Sequence, residues 1–200
     1  MSRRLVLASG SPARLRLLHA AGFDPTVIVS GVPEDDVALT DPADLVSTLA
    51  VRKARAVAAG DAAAIDRAVV LGCDSTLLLD GVALGKPGSA DAAAERWRAM
   101  RGRRGELLTG HCLIDLPSGR EAVAVGRSTV HFADLDDDEI AAYVASGEPL
   151  EVAGGFTIDG RGALFVERVD GDPSNVIGLS LPLLRELLQR LGIPIMELWR

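Results

Sequence analysis

Cysteine and histidine are scarce in this chain, with two of the first and three of the second in 200 residues. Cys73 and Cys112 are too few for a disulfide framework. Each stands in an apolar, strand-like run, where a small buried residue is the ordinary reading. His19, His111 and His131 show no metal-ligand spacing, which argues against a zinc site. Long apolar runs are missing too: nothing approaches the roughly 18 to 20 residues of a membrane span. Met1 to Arg4 is basic, but Ser9 to Arg16 breaks the following apolar stretch too early for a signal peptide, so a cytoplasmic protein is expected. Positive charge is in deficit. Lysine and arginine total 21 against 28 acids, a formal net charge of -7, so neither a nucleic acid nor an anionic membrane is an expected partner. An anionic small molecule stays open, because a few local cations can serve it. Internal repeats and low-complexity linkers are absent as well.

What is present is enough for a proper interior. Apolar residues make up 48% of a length that suits one domain, or two lobes sharing one core. Arg4 to Ala8 predicts a first strand, and Ser11 with Pro12 predicts the N-cap and first turn of a helix ending near Gly22. Residues 44 to 59, "DLVSTLAVRKARAVAA", predict a second helix. "AVVLGCDSTLLLDGVAL" predicts a buried strand, a break at Asp74 and a hairpin turning at Asp80-Gly81. "SADAAAERWRAMRG" is a third helix, capped by Ser89 and closed by Gly102. Two longer strands flank Pro117-Ser118-Gly119. "LDDDEIAAYVASG" is a helix with acids in its first turn, as the helix dipole favours. A glycine-rich segment, the strand "ALFVERV" and a helix from Pro182 to Leu191 follow. The irregular alternation, with hairpins among the units, predicts an α/β fold with a mixed sheet rather than a doubly wound parallel one.

Several residues in this plan could carry chemistry. Ser9-Gly10-Ser11-Pro12 turns a strand into a helix start, where free N–H groups and a positive dipole end suit an anion. Arg14 sits in that helix's first turn, where a cation is disfavoured unless an anion offsets the cost. An ordinary connection with solvated arginines is the plain alternative. In the second helix Lys53 falls within the apolar row of Leu45, Leu49 and Val57, with Val46 and Ala56 beside it. It must snorkel, pair with a carboxylate or reach into a cleft. Asp74, at the expected strand tip, is placed for a ligand crevice or for turn-making. "GVALGKP" fails as a P-loop: only three residues separate Gly81 from Gly85, and Pro87 stands where a Ser or Thr is needed. Lys86 can still meet a phosphate as a point charge from an extended segment. Glu34, in "VPEDD", belongs either to a solvated acidic face or to a metal site. Separated cations, an anion-ready turn and two carboxylate positions form an inventory suited to a magnesium-polyphosphate ligand.

Taken in order, these pieces resemble the Maf (septum-formation) family of nucleoside triphosphate pyrophosphatases from end to end. "LASGSPARLRLL" matches the Ser-x-Ser-Pro-x-Arg motif, including Ser9, Ser11 and Arg14. "RKA" surrounds Lys53, "GCDS" surrounds Asp74 and "GKP" surrounds Lys86. "EIAAYVASGEPLEVAGGF", "IDGRGALF" and "VDGDPSNVIGLSLPLL" follow in the second half. The "SNVIGL" and "GSP" signatures favour this family over the inosine triphosphate pyrophosphatases, which share its chemistry.

The resemblance implies one Maf-like domain over residues 1–200. Its fold would be an elongated mixed sheet flanked by helices, with two lobes around a deep cleft. The implied reaction converts a nucleoside triphosphate to its monophosphate and diphosphate with Mg²⁺ or Mn²⁺. The implied roles are nucleotide-pool sanitation and cell-division arrest; the rival is a non-catalytic nucleotide-binding regulator of septum formation. Asp74 is implied as proton acceptor for the attacking water, and Glu34 with Asp74 as metal ligands. Ser9, Arg14, Lys53 and Lys86 are implied on the phosphates. Ala13, Ser75 and Asp159 stand where the family selects its base and depart from the pyrimidine-type pattern. Asp159 resembles the subgroup accepting 7-methylguanosine triphosphate, since a carboxylate can accept base N–H donors. A homodimer is the ordinary prior for a soluble oligomer; Trp97 and Trp199 are each either a contact or an internal packing residue.

Overall fold

The computed structural model describes residues 3–34 and 41–200. Asp35 and Asp36, the acids after Glu34, lie outside them. Seven strands form one sheet among the described residues: β1 (Arg4–Leu7), β2 (Thr26–Val27), β3 (Ala68–Leu79), β4 (Val82–Leu84), β5 (Arg104–Asp115), β6 (Arg120–Phe132) and β7 (Val166–Gly171). Their order is β2-β1-β3-β5-β6-β7, with β4 also paired to β3. β1 runs parallel to both β2 and β3, whereas β3–β4 and β6–β7 are antiparallel. The sheet is therefore mixed, as the irregular alternation predicts. The helices are α1 (Pro12–Ala20), α2 (Pro42–Ala59), α3 (Ala90–Met100), α4 (Asp137–Ala145), α5 (Pro173–Ile177) and α6 (Leu181–Leu191).

Local chemistry sets most of these boundaries. Ser11, Ser89 and Ser180 cap α1, α3 and α6 through their side chains, and Asp41 caps α2. Asp136 and Glu139 form a reciprocal capping box at the start of α4. Asp80 and Gly81 both have positive φ, as a two-residue hairpin turn of the primed kind requires.

Two expectations are corrected. β3 does not break at Asp74, because burial continues past it through Thr76, Leu77 and Leu79 although Ser75 and Thr76 are polar; the carboxylate sits mid-strand rather than at a tip. The strand expected at Ala163 begins at Val166, since Arg161–Phe165 winds as a short 3₁₀ turn. Pro173–Ile177 forms the short α5, which the apolar pattern does not announce. Of the two readings open for each tryptophan, Trp97 packs internally, being fully buried, whereas Trp199 is exposed.

The chain divides into two compact units: Met1–Asp74 with Thr109–Gly126 and Gly178–Arg200, and Ser75–Leu108 with Arg127–Ile177. The first holds two apolar clusters. One gathers Leu7, Leu18, Leu71, Leu113 and the buried leucines of α6; the other gathers Val6, Val70, Ala50, Ala54 and Cys112. The second unit is built around Trp97, whose ring meets Phe132, Tyr143 and Phe165 edge-on and whose Nε1 donates to the Gly155 carbonyl at 2.9 Å. Few aromatics in the sequence does not mean an aromatic-poor core, because most of them are concentrated in this one. No helix among the described residues is long and apolar enough to cross a membrane.

Candidate active site

Two glycines decide where Lys53 can reach. A Cβ at Gly72 of β3 would lie 2.3 Å from the Ala50 carbonyl oxygen, and one at Gly110 of β5 would lie 2.2 Å from that of Val46. Helix α2 thus packs backbone-to-backbone on the sheet, with the small Ala50 and Ala54 facing it. Leu49 and Val57 are buried on the same helix face as expected, but Ala56 is exposed. At this close approach the buried Lys53 extends along the strand surface to the carboxylate two residues beyond Gly72. Its Nζ donates to Asp74 Oδ1 at 2.6 Å and lies 2.6 Å from Glu34 Oε1. Of the three fates open to Lys53, pairing is the one realised.

Lys53 and Asp74 are 8% and 9% exposed, so this ion pair stands largely out of water. Burial pushes the Asp74 carboxyl above its ordinary range. Attraction from Lys53 and Arg14 pulls the other way without reversing it, and the Glu34 carboxylate adds to the rise. Two carboxylates around one ammonium leave one negative charge in excess. Lys53 engages Asp74 Oδ1, and no hydrogen bond to Oδ2 is made among the described residues. The neighbouring Cys73 is fully buried and its thiol is pushed up to about 11 by burial, while Cys112 is pushed up to about 12 for the same reason. Both are protonated packing residues, as their apolar surroundings suggest.

The opening turn makes the second half of this unit's polar group. Ser11 caps α1 by accepting the Arg14 N–H. Ser9 Oγ accepts from the Ser11 N–H at 3.2 Å and from Arg14 Nη1 at 2.9 Å. With two hydrogen bonds accepted, the Ser9 hydroxyl retains its own proton to donate. Arg14 is 9% exposed and its Nε donates to the Gly178 carbonyl at 2.7 Å. Arg14 is thus neither solvated nor loosely placed.

The first unit therefore brings together Ser9, Ser11 and Arg14, and separately Glu34, Lys53 and Asp74. The influence of Arg14 on the Asp74 carboxyl links the two sets. The remaining expected residues belong to the second unit. Ser75 is half-buried in β3. Lys86 lies in an exposed segment, 3.8 Å from Glu151, with 63% of its side chain in solvent. The segment carrying Lys86 is held by Gly154 N–H on the Gly85 carbonyl and Gly88 N–H on the Leu150 carbonyl. Asp159 accepts the Thr157 hydroxyl within its own turn. The 3₁₀ turn that begins two residues later, at Arg161, is pinned by a residue the sequence reading missed. Glu148 accepts the N–H groups of Arg161 and Gly162, each at 2.9 Å, and the Tyr143 hydroxyl at 2.9 Å. Burial pushes the Glu148 carboxyl up, but those three donors outweigh it and hold it below the ordinary range. A glutamate after a Ser-Gly turn gives no warning of such a role in one sequence.

The donor set bears on a divalent cation. No group of three or more candidate ligands occurs among the described residues. Glu34 and Asp74 supply two hard carboxylates meeting at one ammonium, and Mg²⁺ is commonly held by one or two carboxylates with phosphate oxygens completing its shell. These residues fit a cation that arrives with a polyphosphate.

The Maf-like protein family matches residues 4–191 of the chain. A Streptomyces coelicolor protein named nucleoside triphosphate pyrophosphatase is 59% identical over 197 residues, 98% of this chain and 95% of its own length. The Streptomyces avermitilis protein of that name is 58% identical over the same shares. One of that name from Synechocystis is 51% identical across the whole of both chains. With its motif residues in the strand-turn-helix and helix-strand arrangements described above, and the family match spanning nearly its whole length, the chain belongs to the Maf family.

Proposed function

We propose that this protein is a nucleoside triphosphate pyrophosphatase that hydrolyses its substrate to a monophosphate and diphosphate, with Asp74 as proton acceptor. The names of its relatives support the activity. The observation that carries the mechanism is the buried Lys53–Asp74 pair at 2.6 Å, with burial holding the Asp74 carboxyl above its ordinary range. An ordinary aspartate is a feeble base at neutral pH; a raised one is better matched to taking a proton from water. Lys53 fixes Oδ1, and Oδ2 receives the proton. The water oxygen bonds to phosphorus as the anhydride bond to the departing diphosphate breaks. Ser9 donates its hydroxyl to a phosphate oxygen, and Arg14 and Lys86 offset charge on the phosphates. Glu34 and Asp74 would hold a Mg²⁺ or Mn²⁺, whose chemistry would be to acidify the water and neutralise the phosphates. Asp159 is the proposed reader of the base, and a methylated guanine nucleotide its candidate substrate. Sanitation of the nucleotide pool, in the cytoplasm, is the role such an activity suits.

Asp74→Asn keeps the shape and removes the acceptor. It is expected to lower kcat by about 10² to 10⁴, the usual worth of a general base, while nucleotide affinity changes little. Diphosphate release and equilibrium binding measure the two separately. Near-normal turnover would remove Asp74 from the role, whereas a wild type that binds nucleotide without turnover would favour a regulator of division. In the active wild type, kcat/KM is expected to fall as pH drops through the folded Asp74 pKa, with an acid limb above the ordinary 3.8.

A further inference from the structure

His111 is fully buried in β5, and each ring nitrogen has a partner that fixes its role. Nε2 lies 2.9 Å from the Ser180 backbone nitrogen, which can only donate. Nδ1 lies 2.9 Å from the Thr109 carbonyl oxygen, which can only accept. The imidazole is therefore the neutral tautomer with its proton on Nδ1. Ser180 is also the N-cap of α6, its Oγ accepting from Leu183 N–H at 3.2 Å. Two residues earlier, Gly178 adopts φ 114°, a conformation suited to glycine, and its carbonyl receives Arg14 Nε at 2.7 Å. A continuous line thus runs from His111 through the Gly178–Ser180 segment to Arg14, and on through Arg14 Nη1 to Ser9 Oγ at 2.9 Å. Leu179 anchors the segment in the apolar core but sets no polar direction.

We propose that His111 is a positioning residue for the reaction: its Nε2 holds the Ser180 N–H, and the segment so fixed aims the Arg14 guanidinium at the phosphates. The inference rests on the assignment of Arg14 to phosphate binding. An arginine already held by fixed acceptors loses less freedom on meeting an anion, so the latch acts on substrate affinity. Its hydrogen bonds end at Arg14 and Ser9; Asp74 is reached only through the charge of Arg14, which every His111 variant keeps.

The test is a cycle of His111→Leu, Arg14→Ala and the double variant, with His111→Gln as conservative partner. Glutamine can present an acceptor near the position of Nε2. His111→Leu is expected to raise KM roughly tenfold with kcat nearly unchanged, as for loss of one hydrogen bond aligning a charged group. His111→Gln restores most of the affinity, and His111→Leu adds nothing further in the Arg14→Ala background. A full extra increase in that background, or an unchanged KM in His111→Leu, overturns the proposal. Hydrogen exchange at Arg14 Nε–H, read by NMR in the folded variants, separates the two layers. If Arg14→Ala leaves KM unchanged, the phosphate assignment fails. The latch itself fails if Nε–H stays as protected in His111→Leu as in the wild type.

Discussion

The candidate residues of the two units hold their charges in opposite ways. In the first, Lys53 and Asp74 are buried in mutual contact, and Arg14 is tied to a hydroxyl and a carbonyl. In the second, Lys86 and its partner Glu151 are 63% and 80% exposed and 3.8 Å apart. A buried pair has already been stripped of water, so its geometry is fixed and removal of one partner strands the other. An exposed pair exchanges freely with solvent and contributes little to stability. The contrast teaches that two lysines of one chain can stand in opposite settings. Lys53 is held in place by a buried carboxylate, whereas Lys86 lies largely in solvent.

The largest effect expected from breaking this contrast is at Lys53. Lys53→Met removes the ammonium but keeps the stem, and should cost about 3 to 5 kcal/mol in urea unfolding, as for breaking a buried pair, together with nearly all turnover. Next comes the close approach that delivers Lys53. Gly110→Ala places a Cβ 2.2 Å from the Val46 oxygen. It should cost about 1 to 3 kcal/mol as α2 is pushed off the sheet, with a matching fall in kcat. Lys86→Met, by contrast, should leave stability within about 0.5 kcal/mol and raise KM; a large loss of stability would show that Lys86 is not a solvated cation.

The smallest effect concerns Glu148. Its folded carboxyl sits below the ordinary 4.5, so its contribution to stability is present above that value and is lost as pH falls through the folded pKa. Unfolding midpoints at neutral pH and on the acid side of 4.5 should therefore differ less in Glu148→Gln than in the wild type. An equal acid dependence in both would show that those donors do not favour the ionised form.

Much of this is legible in the sequence. The serine caps, the hairpin turn and the capping acids of α4 are local chemistry, written in adjacent residues. Lys53 was visible as a cation out of place in an apolar stripe, which is a periodicity argument. Its partner was not visible, because which strand lies against α2 depends on residues far apart in the chain. Asp74 was expected at a strand end, since an acid after an apolar run usually marks one. Burial of the pair lets the strand continue through it. Trp97 stays open in the sequence for a related reason: the aromatic residues that enclose it come from distant segments.

The sequence by itself determined the mixed α/β character, the caps, the family and the identities of the polar residues, because those depend on spacing and side-chain chemistry. Only the tertiary structure decided that Gly72 and Gly110 admit α2 close enough for Lys53 to reach Asp74, that Gly178 supplies the acceptor for Arg14, and that Glu148 pins the turn at Arg161 and Gly162. Each is a contact between segments distant in sequence. Steric exclusion and the need to satisfy every buried polar group settle such contacts only once the chain has folded.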